Sequence, residues 1–246
     1  PGPRRGVQLH LVRTGNDFGG ILETVAGHYS GIDVSVSPAS PTVILVHGLW
    51  FGAWSLNVLA RRLRKAGFLP RRFRYRSTRS TFEEQGRALR RFVGPVSDAP
   101  LHFVAHSLGG LVTLSMLADE SGLPPGRVVL LGSPLRGSVV ARKAAALPGG
   151  RSLLGAARPG LEAGLARPQI RREIGMIAGS RSFGLGRLVG GLGGPGDGTV
   201  AVSETRVEGL REHRILPVTH TGMLFSREVA HEVARFLRVG SFTPAP

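Results

Sequence analysis

The sequence predicts an α/β protein, with a mostly parallel central sheet flanked by helices. Three observations predict it. Val43–Val46 and Val128–Leu131 are short, continuous apolar runs rich in β-branched residues, as expected of strands buried on both faces. Amphipathic stretches with helical spacing lie between such runs. Strand and helix signals then alternate as far as the last helix, the pattern of parallel strands joined by crossover helices.

The elements follow in order. Residues 1–40 hold a candidate strand, Val7–Val12, and a Gly-rich stretch. They end in Ser37-Pro38-Ala39-Ser40-Pro41, a turn-forming cluster. They are expected to form an N-terminal extension, and residues 41–240 the main domain. Val43–Val46 is the first strand of that domain, and a helix with Leu56, Leu59 and Leu63 on one side follows. Leu69–Tyr75 reads as a second strand and Thr81–Val93 as a helix carrying Phe82, Leu89 and Phe92. Leu101–Ala105 is the third strand, Leu108–Ala118 a helix, and Val128–Leu131 the fourth strand. Glu173–Ala178 and Arg214–Val218 are the fifth and sixth. Val229, Val233, Phe236 and Leu237 mark the last helix by their spacing. Leu135–Arg172 has a mixed helical pattern and Ser180–Gly196 is Gly-rich. Lid or flap insertions are expected over residues 135–196, with Leu185, Leu188, Val189 and Leu192 as an apolar flap.

Composition narrows the class. At 246 residues, 41% hydrophobic and 20% charged, the chain can bury a core and does not read as disordered. No apolar run approaches the roughly 20 residues of a membrane-spanning helix. The absence of Cys excludes a disulfide scaffold, a Cys-based zinc site and a Cys nucleophile. Clustered carboxylates are also lacking, so neither a metal nor an organic cofactor is expected. The net charge is +16, and only Lys65 and Lys143 among the 32 basic residues are lysines. Such a field favours anionic partners. Arginine in place of lysine, beside abundant Ala, Gly and Pro, is equally the mark of a GC-rich coding sequence. The basic group Arg61, Arg62, Arg64, Lys65, Arg71, Arg72, Arg74, Arg76 and Arg79 suits an anionic membrane surface or a solvated face. Few aromatics interleave with it beyond Phe73 and Tyr75, which disfavours nucleic acid. Compartment and oligomeric state are left open.

In an open α/β sheet, ligands sit at the carboxyl ends of the strands, so chemistry is sought there. Ala105-His106-Ser107-Leu108-Gly109-Gly110 lies between a strand and a helix. It matches a nucleophile elbow with Ala in the first Gly position. The elbow holds its Ser on a tight, strained turn, and small flanking residues are a steric requirement. The other reading of Ser107 is a helix N-cap. A Ser hydroxyl needs a base to take its proton, and in this arrangement the chain order is Ser, acid, His. Of the histidines after Ser107, His231 lies on the last helix and His213 precedes a strand, whereas His220 sits in a loop after one. Asp119 and Glu120 lie about 17 Å down the helix from the hydroxyl. Asp197, in Gly196-Asp197-Gly198-Thr199-Val200, is the expected acid, with Glu204 and Glu208 as alternatives. The catalytic candidates are therefore Ser107, Asp197 and His220. Oxyanion donors are expected from the backbone N–H groups of Leu108 and of Leu49, the latter in Val46-His47-Gly48-Leu49-Trp50. His47 is expected to shape that loop. Trp50, Phe51, Trp54 and Leu135 are candidates for the substrate pocket.

Together these segments resemble the α/β-hydrolase superfamily, and more narrowly its bacterial serine lipase and esterase branch. The Ala-His-Ser-x-Gly-Gly elbow is similar to that of small Bacillus-type lipases with little or no lid. Asp197-Gly198-Thr199-Val200 and His220-Thr221-Gly222-Met223-Leu224 look like that group's acid and histidine segments. Ser133-Pro134-Leu135-Arg136-Gly137-Ser138 resembles a Thr-Pro-x-x-Gly-Ser stretch of bacterial lipases. The resemblance spans about residues 41–239. It implies hydrolysis of carboxylic esters, lipid or small acyl, through an acyl-enzyme. A thioesterase or acyltransferase with the same three residues is the alternative, and a non-catalytic membrane- or polyanion-binding module is a third reading.

Overall fold

The apolar runs become the interior of a parallel sheet. In the computed structural model the strands are β1 (Thr42–Val46), β2 (Leu69–Phe73), β3 (Leu101–His106), β4 (Val128–Leu131), β5 (Ile174–Gly179) and β6 (Glu212–Leu216). Their order is β2-β1-β3-β4-β5-β6, and every neighbouring pair is parallel. The structure describes residues 40–243 except 96–98, 120, 166–169, 185 and 187–190. These residues all belong to one compact unit, Ala39–Pro246. The expected strand Val7–Val12 and the flap residues Leu185, Leu188 and Val189 lie outside the described residues.

Alternation along the strands builds two cores. Ile44, Val46, Phe103, Ala105, Val128, Leu130 and Met176 face one side, where α2 (Phe82–Val93) and α3 (Leu108–Leu117) pack. Val43, Leu45, Val104, Val129, Leu131 and Ile177 face the other, covered by α1 (Asn57–Lys65) and α7 (Arg227–Val239). A sheet buried on both faces explains why its central strands are apolar throughout. Edge strand β2 differs: Leu69, Arg71 and Arg72 are exposed and Pro70 offers no N–H donor. Proline and charge at an edge discourage further pairing.

Local signals set the helix ends. Thr81 accepts from Glu84 N–H while the Glu84 carboxylate accepts from Thr81 N–H, closing a capping box on α2. Ser226 caps α7, which ends at Gly240 in the left-handed conformation. Helix α3 is buried on nearly every side, so its sequence shows no polar face. Three short helices, α4 (Val139–Ala146), α5 (Gly150–Leu154) and α6 (Arg158–Ala163), occupy the stretch with the mixed pattern. Strand β2 stops at Phe73, two residues before the expected end. The Tyr75 side chain is used elsewhere, donating to the His47 carbonyl at 2.6 Å and stacking on the His47 ring.

Two histidines away from the site link folding to pH. His102 on β3 is buried, its Nδ1 accepts from Arg127 N–H at 2.9 Å, and burial, helped by the Arg127 and Arg172 charges, lowers its pKa to about 4. Burial, with a contribution from Arg206, lowers that of His213 to about 4 as well. The folded chain therefore binds fewer protons than the unfolded chain between about pH 6.5 and about pH 4. Stability is full above the unfolded value and falls as the pH drops through this window, by up to about 3 kcal/mol for each histidine. Urea midpoints measured from pH 7 to pH 4 should show this fall. His102→Asn, whose side-chain oxygen can still accept from Arg127 N–H, should flatten it.

Candidate active site

Ser107 joins β3 to α3 with φ 55° and ψ −125°. A non-glycine residue held there costs about 1–3 kcal/mol, so its surroundings must impose it. The Ser107 N–H donates to the Leu131 carbonyl at 2.9 Å, and the Gly110 N–H to the Ser107 carbonyl at 3.0 Å. Glycines permit the closeness. A Cβ on Gly109 would lie 2.6 Å from the Val46 and His47 carbonyl oxygens, and one on Gly110 2.1 Å from Ser133 Oγ. One on Gly48 would lie 2.9 Å from the Ser107 Cβ. The first elbow position is different. Ala105 is wholly buried, in register with Val46 and Leu130, and its methyl belongs to the core.

Asp197 and His220 are brought together from the loops after β5 and β6. His220 Nδ1 donates to Asp197 Oδ2 at 2.7 Å, and both residues are buried. The other carboxylate oxygen accepts from Thr199 N–H at 2.9 Å and Val200 N–H at 2.7 Å. His220 N–H also donates to the Asp197 carbonyl at 2.9 Å, so backbone and side chain both register the two loops. With the Nδ1 proton committed to a carboxylate, Nε2 is the acceptor of the ring. The pair is set among glycines. A Cβ on Gly132 would stand 2.8 Å from Asp197 Oδ2 and 3.1 Å from His220 Nδ1, and one on Gly179 2.6 Å from the Asp197 Cβ.

Sequence reasoning missed His106. It is wholly buried, its Nε2 donates to the His220 carbonyl at 3.0 Å, and its ring centre lies 4.5 Å from that of His220. Burial, reinforced by His220, keeps its pKa well below the ordinary histidine value. A neutral ring thus supports the His220 backbone. The signal was its place beside Ser107; its contact spans 114 residues and left no local trace.

Ser107 and His220 line one cavity of about 760 Å³. Leu49, Trp50, Phe51, Pro134, Leu154 and Phe183 contribute to its wall, as do Val140, Ala141 and Ala144 of α4. No Asp, Glu, Lys or Arg among the described residues lines it. Leu108 opens α3, where a backbone N–H has no preceding helical carbonyl to bond. Trp50 is the second non-glycine residue at positive φ (59°). Its N–H donates to Ser77 Oγ at 3.0 Å, and its indole N–H to the Leu153 carbonyl at 3.1 Å. His47 is buried, donates from Nδ1 to the Gly48 carbonyl and stacks on Tyr75; burial lowers its pKa.

Other candidates are placed elsewhere. Leu135 is wholly buried in the core and does not line the cavity. The turn at Gly137 (φ 80°) and the bond from Leu165 N–H to the Leu135 carbonyl hold it there, and its neighbours Pro134 and Ser138 face the cavity instead. Trp54 is 67% exposed and off the cavity wall. Glu204 is buried and accepts from Val139 N–H, at the start of α4, and from Ala201 N–H, tying a cavity helix to the Asp197 loop. Burial raises its pKa. Asp119 is exposed and bonded to Ser121.

This fold belongs to a defined class. Residues 43–235 match the model of the alpha/beta hydrolase family, and the chain belongs to that family. Among solved structures it is similar to the mature lipase BlEst2 of Bacillus licheniformis, 19% identical over 84% of this chain and 94% of that one, with a TM-score of 0.65. The metagenomic carboxyl esterase MGS0156 is 17% identical over 75% and 66% of the two chains, with a TM-score of 0.61. The type II thioesterase BorB, from the borrelidin biosynthetic cluster, is 16% identical over 82% and 93%, with a TM-score of 0.58. At such identities the likeness is one of fold. No curated protein sequence matches significantly.

Gly132 and Gly122 both have positive φ, at 55° and 67°, but Gly122 lies off the cavity wall and a Cβ on it meets nothing within 4 Å. Alanine at either position strains a left-handed backbone, whereas only Gly132→Ala collides with the Asp197–His220 pair. Gly132→Ala should lower kcat for hydrolysis about 100-fold, the cost of misplacing a reacting group by about 1 Å. Gly122→Ala should keep kcat and lose only stability, by about 1 kcal/mol. Steady-state kinetics and thermal melts of the two variants compare these effects.

Proposed function

We propose that the chain is a serine hydrolase of uncharged carboxylic esters, acting through Ser107, His220 and Asp197. One observation carries this reading: a strained Ser and the His of a buried Asp–His pair share an apolar cavity that no charged side chain among the described residues lines. The composition sharpens the point. The chain has a net charge of +16, yet no arginine among the described residues lies on this wall. An acyl group carrying a carboxylate would be buried there without a partner, at a cost of several kcal/mol. A neutral acyl chain loses nothing and gains apolar burial.

In this reading His220 Nε2 takes the Ser107 proton as Oγ attacks the ester carbonyl carbon. The oxyanion is held by the Leu108 N–H and the Leu49 N–H. Asp197 fixes the ring tautomer and stabilises the imidazolium, its other oxygen being neutralised by two backbone donors. His220 then returns the proton to the leaving alcohol. Water, deprotonated by the same nitrogen, releases the acid and restores Ser107. His106 holds the His220 backbone and stays neutral beside the imidazolium.

The test is turnover of p-nitrophenyl esters from acetyl to palmitoyl, with wild type and Ser107→Ala side by side. Wild type should hydrolyse them, and Ser107→Ala should lose about 10⁴-fold or more in kcat. Comparable turnover by the variant, or none at any chain length by folded wild type, would contradict the reading.

A further inference from the structure

A second concave site lies away from the cavity, between α1 and α7. It is a groove of about 520 Å³ running along both helices. One wall carries Arg61, Arg62 and Lys65 of α1, and the other Arg227, Arg235 and Arg238 of α7. No carboxylate among the described residues lines it, and its remaining lining is small or apolar, including Val58, Ala230 and Ala234, with His231 on the α7 side. Like charges at this density repel, so the bare groove works against the packing of its own helices.

The six cations are not equivalent. Arg62 donates to the Phe225 carbonyl at 2.6 Å, and Arg238 donates to the Ala66 carbonyl and lies over the Phe68 ring. These two pin the helices together. Arg61, Lys65, Arg227 and Arg235 have no carboxylate partner among the described residues. The Nε of Arg235 is buried and without a hydrogen-bond partner. Arg235 as a whole is half-buried, and its guanidinium carries further N–H donors beyond the buried Nε.

We infer that this groove binds a linear, base-free phosphate anion, of the kind presented by short-chain inorganic polyphosphate. Charge and shape favour that occupant. Arg227 to Arg238 covers eleven residues of one helix, about 16 Å, so the cations form a line. Guanidinium groups pair with phosphate oxygens in bidentate fashion. Among the described residues no Phe, Tyr or Trp lines the groove, so it lacks the row of aromatic platforms on which successive nucleic-acid bases stack. A thin chain of phosphates can lie along the length of this concave groove, whereas a flat bilayer surface meets only its rims.

The experiment is titration of the full chain with short-chain polyphosphate at physiological ionic strength, where diffuse surface attraction is screened. Saturable binding is expected. Arg227→Gln combined with Arg235→Gln should weaken it about tenfold or more, as charge-assisted bonds are lost. Arg87→Gln combined with Arg91→Gln, at exposed positions of α2 on the opposite face of the sheet, should leave it unchanged. Ester hydrolysis without polyphosphate should be the same in all forms. Hydrogen exchange on wild type gives a reading that needs no variant, with protection by polyphosphate confined to α1 and α7. Absence of binding, equal weakening by both variant pairs, or protection elsewhere would overturn the inference. So would tighter binding of oligo-dT, which would make the groove a nucleic-acid site. Binding only to vesicles of phosphatidylglycerol and phosphatidylcholine would assign the surface to membranes instead.

Discussion

The candidate site depends on one strained backbone conformation, that of Ser107. Its φ of 55° is held by a bond to the Leu131 carbonyl and by the close seating of the first turn of α3 on the end of β1. That seating is possible because Gly109 meets the Val46 and His47 carbonyls with no side chain of its own. The parallel sheet does the rest. It delivers the Leu49 turn after β1, Ser107 after β3, Asp197 after β5 and His220 after β6 to one edge. Gly48, Gly132 and Gly179 stand at the ends of β1, β4 and β5, and at each a Cβ would strike Ser107, His106, Asp197 or His220. Elements far apart in sequence thus converge within van der Waals distance at the carboxyl edge of the sheet.

Charge is partitioned as sharply as space. The outer surface is cationic, with arginines on α1, β2, α2 and α7, while the cavity wall has no charged side chain among the described residues. The groove between α1 and α7 is the converse, with six cations and no acid among the described residues. In the proposed reaction, separating the two limits the field at Ser107, where an anion would develop and be held by directed N–H donors rather than by a mobile arginine. Glu204 bridges two parts of the site, its carboxylate joining the start of α4 to Ala201, four residues beyond Asp197.

Much of this was legible in the sequence, for physical reasons. Strands buried on both faces must be apolar throughout, so β1, β3, β4 and β5 announce themselves. Edge strand β2 buries little and carries Arg71 and Arg72, so its end was misplaced by two residues. Chain order and loop position singled out Asp197 and His220, and the two are in contact at 2.7 Å. The cavity wall was less legible. Trp50 and Phe51 line it, but Leu135 points into the core because a single turn at Gly137 reverses the loop. Contacts made across the chain, such as His106 with the His220 carbonyl or Glu204 with Val139, have no local periodicity to reveal them.

The central claim is that the geometry around Ser107 makes this hydroxyl a nucleophile. Reaction with an alkyl fluorophosphonate, followed by tandem mass spectrometry, tests it most directly. Attack by Ser107 Oγ on phosphorus displaces fluoride and leaves a stable phosphonyl ester, so no natural substrate need be known. One adduct is expected, on Ser107, whose formation slows by orders of magnitude in His220→Ala. A folded protein that stays unlabelled, or that is labelled at a different residue, would contradict it.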